Sequence, residues 1–176
     1  VSMVLGVVQK RVAGFHTDPL VLWLALALTL CACAGSPPTL YPMLPQYQGE
    51  ATGEKATIRY LTRPSEREGM KLKVADGLLV NAEGRPLDPE VEKYPKRDGF
   101  AIFVMDKDGT IYVSFDHRQG RFHHSSLLAG EPVRAAGDMT ILNGRLLAIS
   151  NSSGHYRPPS KSLDIVISTL KAYKAI

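Results

Sequence analysis

Two pairs of short apolar runs constrain the fold of this chain more than any other feature. One pair flanks Asp106-Lys107-Asp108-Gly109 and the other flanks Asn143-Gly144. Residues 101–105 and 110–115 are rich in β-branched and aromatic side chains, and the turn between them is acidic and closed by glycine. Residues 139–142 and 145–150 repeat the arrangement around a two-residue connection. Asn-Gly tolerates the positive φ that such a turn demands, so both pairs are expected to form antiparallel hairpins. Alternation at 57–61 and 71–74, together with Leu78-Leu79-Val80, gives further expected strands. Behind Pro158-Pro159, Leu163, Val166, Ile167, Leu170 and Tyr173 recur at helical spacing and predict a helix from about 160 to 173. The expected class is α+β: a mainly antiparallel sheet of hairpins with one C-terminal helix packed on it.

The first third of the chain has a different character. Lys10 and Arg11 precede an apolar run at 20–30, which ends in Leu30-Cys31-Ala32-Cys33-Ala34-Gly35. That run is shorter than the roughly 20 apolar residues a helix needs to cross a bilayer, and Asp18-Pro19 stops it from extending upstream. Positive charge, a short apolar core and small residues around a cysteine have the form of a secretory signal. The pattern resembles the processing site of a bacterial lipoprotein. This resemblance implies cleavage before Cys33, acylation of Cys33 by palmitate-like chains, and an outer-membrane lipoprotein facing the periplasm or the surface. Ala32 before Cys33 fits such a site better than Leu30 before Cys31. The expected organisation is a signal peptide at 1–32, a lipidated Pro/Gly-rich tether at 33–55 and one domain at 56–176.

Loss of residues 1–32 would leave Cys33 as the sole cysteine, which excludes a disulfide framework and a thiol nucleophile. The net charge of +4 comes from basic residues interspersed with acids, so no nucleic-acid partner is expected. The expected partners are the membrane, through the lipid, and an envelope protein.

The residues that could carry chemistry fall in three segments. They are Phe122-His123-His124-Ser125-Ser126 running on to Ala129-Gly130, then Ala135-Ala136-Gly137-Asp138, and finally Ser153-Gly154-His155-Tyr156-Arg157-Pro158. Over about 100–170 this pattern resembles a domain of plant IQ-motif calmodulin-binding proteins and the ends of some bacterial effector-like proteins. The resemblance implies no particular activity. The calmodulin-binding motif of the plant proteins lies outside this domain and has no counterpart here, so calmodulin binding does not transfer.

The candidate cluster is His123, His124, Ser125, Ser126, Asp138, His155 and Tyr156. A hydroxyl, a base titrating near neutrality and an orienting carboxylate are the parts of nucleophilic catalysis. A structural reading competes with this and is preferred. Ser125 or Ser126 caps a short helix at 127–129 ending at Gly130, and His155 and Tyr156 pin the loop before the last helix. Gly-x-Ser-x-Gly is absent from the sequence, and neighbouring histidines on a strand face opposite sides. Three imidazoles could hold zinc, but an adjacent pair is poor geometry and no fourth ligand presents itself, so neither metal nor cofactor is expected. Asp106-Lys107-Asp108-Gly109 opens like a calcium loop, yet position 12 is His117 where an acid is required, which leaves a hairpin turn. The expectation is therefore a non-enzymatic binding or protein-interaction lipoprotein, for instance of immunity type. The alternative is a hydrolase or transferase using His124, Ser125 or Ser126, Asp138 and His155.

Overall fold

Residues 101–105 are apolar without alternation, which suits a strand covered on both faces. In a computed structural model, which describes residues 37–52, 56–89 and 99–176, that is their environment. After a 3₁₀ turn at Pro45–Tyr47 the elements run α1 (Pro64–Glu68), β1 (Lys73–Ala75), β2 (Leu78–Val80), β3 (Phe100–Met105), β4 (Ile111–Ser114), α2 (His124–Leu127), β5 (Ala135–Leu142), β6 (Arg145–Ile149) and α3 (Ser162–Ala172). Strands β4-β3-β5-β6 form one antiparallel sheet, and β1-β2 form a separate hairpin. The class is α+β, with α3 as its C-terminal helix.

Both expected turns close their hairpins. Met105 pairs with Ile111, and Asp106 Oδ1 accepts the Asp108 and Thr110 N–H groups at 2.9 Å each. Leu142 pairs with Arg145 across Asn143 and Gly144, whose φ angles of 49° and 73° are those of a two-residue hairpin turn.

Alternate residues of β3 divide the core in two. Ile102 and Val104 join Leu61, Phe122, Leu127, Leu128, Val133 and Tyr156 on one face. Ala101, Phe103 and Met105 meet Ile111, Met139, Ile141, Leu79 and the α3 residues Val166 and Leu170 on the other. Each large side chain buried this way contributes about 2–3 kcal/mol. The helix ends at Ala172, before the expected period is complete, and Tyr173 is left 64% exposed.

Three segments depart from the sequence expectations. Residues 57–61 are extended but form no strand, because the chain opposite them is a turn and a helix. Single bonds therefore replace a ladder: Arg59 N–H to Arg121 O at 2.8 Å and Leu61 N–H to Ser126 O at 2.9 Å. The strand expected at 71–74 lies at Lys73–Ala75, with Lys71 bridging to Tyr112 instead.

The third departure bears on the site. The chain from Pro38 onward belongs to one compact unit, so residues 38–52, expected within the spacer, lie on the domain as a strap. Tyr41 exchanges backbone bonds with Val133 at 2.7 and 3.0 Å, Met43 is buried, and Leu44 N–H reaches His155 O at 2.8 Å. Proline and glycine exclude a regular strand there, but single backbone groups still find partners. The expected signal at 1–32, Cys33, and residues 34–36, 53–55 and 90–98 lie outside the described residues. Among the described residues no helix is long and apolar enough to cross a membrane.

Candidate functional site

The segment that carries four of the candidate residues is a turn followed by a single helical turn. Arg118 and Phe122 exchange backbone bonds and reverse the chain, and His123 follows with extended backbone. The helix starts at His124, three residues before the expected start, because Ser126 caps it from inside. Ser126 Oγ accepts the His123 N–H, and the Ser126 N–H donates to His123 O, each at 3.0 Å. This is half of the expected capping role, performed by a serine in the third helical position. Successive side chains of one helical turn diverge, so His124 reaches β5 while Ser125 reaches the strap.

Ser125 meets Glu50, a residue the sequence reading did not single out. Glu50 Oε1 accepts the Ser125 hydroxyl at 2.5 Å and the Tyr60 hydroxyl at 3.1 Å, and Oε2 accepts His155 Nε2–H at 3.0 Å. Three donors from three separate segments thus converge on one part-buried carboxylate. Burial, then the nearby Glu50 charge, pushes the Tyr60 phenol up to about 12. Burial holds His155 below its ordinary value, against the opposing pull of Glu50. Tyr156 is 3% exposed, donates to Glu131 O at 2.9 Å, and is raised by burial. The loop-pinning roles expected of His155 and Tyr156 are therefore present in the geometry, with Glu50 and Glu131 as the anchors.

Outward from this centre runs a ladder of rings. His155 lies between Tyr47, at 4.1 Å between centroids, and His123, at 4.7 Å. His123 meets the edge of His117 at 5.6 Å, and His117 stacks on Phe100 at 5.8 Å. Burial and then the adjacent His155 lower the His123 pKa. Gly120 N–H donates to His123 Nε2 at 3.1 Å, which also favours a neutral ring. The outer members Phe100, His117, His123 and Tyr47 are half-buried, so the ladder forms a rim at the surface.

The remaining candidates form a different pair. His124 Nε2–H donates to Gly137 O at 2.9 Å, with Asp138 Oδ1 at 3.5 Å from the same nitrogen. Asp138 thus accompanies His124, whereas Ser125 and His155 share Glu50. The cluster of the sequence reading is brought together in space but divided chemically. Among the described residues no serine hydroxyl is bonded to an imidazole. Nor do three His, Cys, Asp or Glu residues among them converge as metal ligands.

A search for relatives gives a consistent picture. Residues 66–163 match the model of the IQ motif-containing protein middle domain. Three Arabidopsis thaliana proteins are similar: IQ domain-containing protein IQM4 at 38% identity over 118 residues, IQM3 at 39% over 115 and IQM1 at 36% over 120. The alignments cover 67%, 65% and 68% of this chain but 21%, 24% and 23% of those proteins. The chain thus spans about a fifth to a quarter of the length of the relatives it matches. No solved structure matches.

Proposed function

The chain belongs to the family of the IQ motif-containing protein middle domain, and we propose that it is a protein-interaction module, held at a cell envelope by a lipid on Cys33. The observation that carries the interaction reading is the pairing of a satisfied polar centre with a half-buried rim of rings. Glu50 takes the hydrogens of Ser125, Tyr60 and His155, so these groups lock the strap to the domain instead of pointing outward. Beside them Phe100, His117, His123 and Tyr47 present flat surfaces partly open to solvent. Aromatic faces with a polar edge supply contact area at little cost in side-chain entropy. An immunity-type role against an envelope toxin is the concrete form of the proposal.

The lipid anchor rests on the sequence around Cys33. One experiment addresses both parts. The full chain is expressed in a bacterium fed an alkyne-labelled fatty acid, and envelope proteins are then cross-linked to it. The label is expected on the wild type and absent from Cys33→Ser. The cross-linked partner is expected with the wild type and lost from the rim variant Phe100→Ala/His117→Ala. An unlabelled wild type would sink the anchor, and a partner held equally by the rim variant would sink the surface.

A second reading, hydrolase or transferase, draws on the Glu50–His155 carboxylate–imidazole pair. Against it, the Ser125 hydroxyl is directed to the carboxylate, and the His155 ring is packed against the rings of Tyr47 and His123.

A further inference from the structure

The strap is held to the domain in two different ways along its length. Upstream, Tyr41 shares two backbone bonds with Val133, Met43 is buried, and Leu44 N–H reaches His155 O. From Pro45 onward the backbone turns on itself. Tyr47 N–H donates to Leu44 O, Gln48 N–H to Pro45 O, Glu50 N–H to Tyr47 O and Thr52 N–H to Gly49 O, at 3.0–3.2 Å. The Thr52 hydroxyl also donates to Gly49 O at 3.0 Å, and Gly49 supplies the φ of +82° that the turn requires. Among the described residues, the backbone bonds of 45–52 all stay within 44–52. No residue of the 3₁₀ turn itself is buried.

Two side chains fasten this turn to the domain. The Tyr47 ring lies on His155, and Glu50 accepts from Ser125, Tyr60 and His155. Such a unit can lift away without stranding a backbone group of its own. What it leaves behind is specific: two hydroxyls and an imidazole N–H converging on one point, with Ser125 0% and His155 8% exposed. Among the described residues no second carboxylate reaches any of the three. Buried donors left unmet are costly, so donors placed in this way select an anion that offers two oxygens.

We propose that residues 45–52 are a lid over a carboxylate-recognition site, and that an acidic side chain of a partner protein takes the place of Glu50 there. The lid itself shows what such a partner presents: a turn with an aromatic ring three residues ahead of an acid. The site deepens the protein-interaction reading and rests on it, because lifting Tyr47 uncovers His155 at the inner end of the rim. A tethered lid competes at an effective concentration on the order of millimolar. The site therefore stays closed to free carboxylates and opens to a partner that holds the rim as well.

The test titrates a capped peptide of residues 44–52 into the isotopically labelled full chain. The Glu50→Ala chain, whose upstream strap bonds remain, is expected to bind it with saturable shifts at Tyr60, Ser125 and His155. The wild type is expected to bind about tenfold more weakly or less, with its own Tyr47 and Glu50 signals moving as the lid is displaced. A peptide carrying Glu50→Gln, or a chain carrying Ser125→Ala beside Glu50→Ala, is expected to lose about tenfold in affinity. Wild-type lid signals that stay fixed at about 10 mM peptide would overturn the lid, and this arm needs no variant to fold. Equal binding of the two peptides would overturn the carboxylate site, and acetate matching the peptide would overturn a protein partner. None of these readouts involves Phe100 or His117, so failure of the rim is distinguishable from failure of the lid.

Discussion

The Glu50 centre and the 150–158 loop are built from the same kinds of residue and share a stretch of chain, yet their hydrogen-bond accounts differ. In the first, a carboxylate meets three donors, and the histidine among them is clamped between rings. In the second, the buried Ser153 hydroxyl has no hydrogen-bond partner among the described residues and an arginine is bent into the left-handed region. Composition does not separate a satisfied polar cluster from an unsatisfied one. The test is whether each polar group is already satisfied. Gly137 ties the loop to the sheet beside the His124–Asp138 pair, because its carbonyl accepts His124 Nε2–H while a Cβ on it would stand 1.8 Å from Ser150 O. Gly137→Ala therefore forces the loop away from β5 and should cost about 3 kcal/mol or more. Urea unfolding measures this, and an unchanged midpoint would show that the approach is not required.

Removing the acceptor breaks the satisfied side alone. Glu50→Ala strands the Ser125, Tyr60 and His155 donors and should destabilise by about 2–3 kcal/mol. Glu50→Gln, which keeps one accepting oxygen, should cost about half as much. Equal losses would mean that the strap is held by its backbone bonds and not by the carboxylate. Acid acts on the same centre. Burial lowers His123 and His155 from their ordinary 6.5, so near that pH the unfolded chain binds protons that the folded chain refuses. Stability is then complete above about pH 6.5 and falls as the pH drops toward the lower folded values. Without Glu50 nothing opposes the burial of His155. The acid limb of a stability–pH curve should therefore steepen in Glu50→Ala, and a parallel curve would remove His155 from the account.

The features legible in the sequence were those fixed by neighbours along the chain. Asp106-Lys107-Asp108-Gly109 and Asn143-Gly144 carry their turn geometry in their own side chains and φ preferences, so both hairpins and the α+β class follow from local chemistry. The candidate residues His123 to Ser126, Asp138, His155 and Tyr156 were identifiable as one polar neighbourhood. Their pairing was not, because the decisive partner is Glu50, which lies 75 residues from Ser125 and 105 from His155. One signal was present: Glu50 is the first charged residue after Asp18, at the end of a long uncharged stretch. The alternation at 57–61 misled for the complementary reason, since period-two patterning reports a half-buried extended chain whether or not a strand lies opposite.

The smallest effect gives the sharpest contrast. Tyr156→Phe removes the bond to Glu131 O and should cost about 1 kcal/mol, as a satisfied hydroxyl does. Arg157→Gly, one residue along, should do the reverse. Glycine accepts the φ of +44° without the crowding an arginine Cβ suffers, which is worth about 1 kcal/mol, although its freer unfolded chain returns part of that gain. The net expectation is stabilisation of about 0.5 kcal/mol, read as a small rise in thermal midpoint. Opposite signs at adjacent positions are what the hydrogen-bond accounts demand. Tyr156 faces a region where every change is a loss, and Arg157 belongs to one where stability has been given up. If Arg157→Gly instead destabilises, the arginine is structural and the two regions are of one kind.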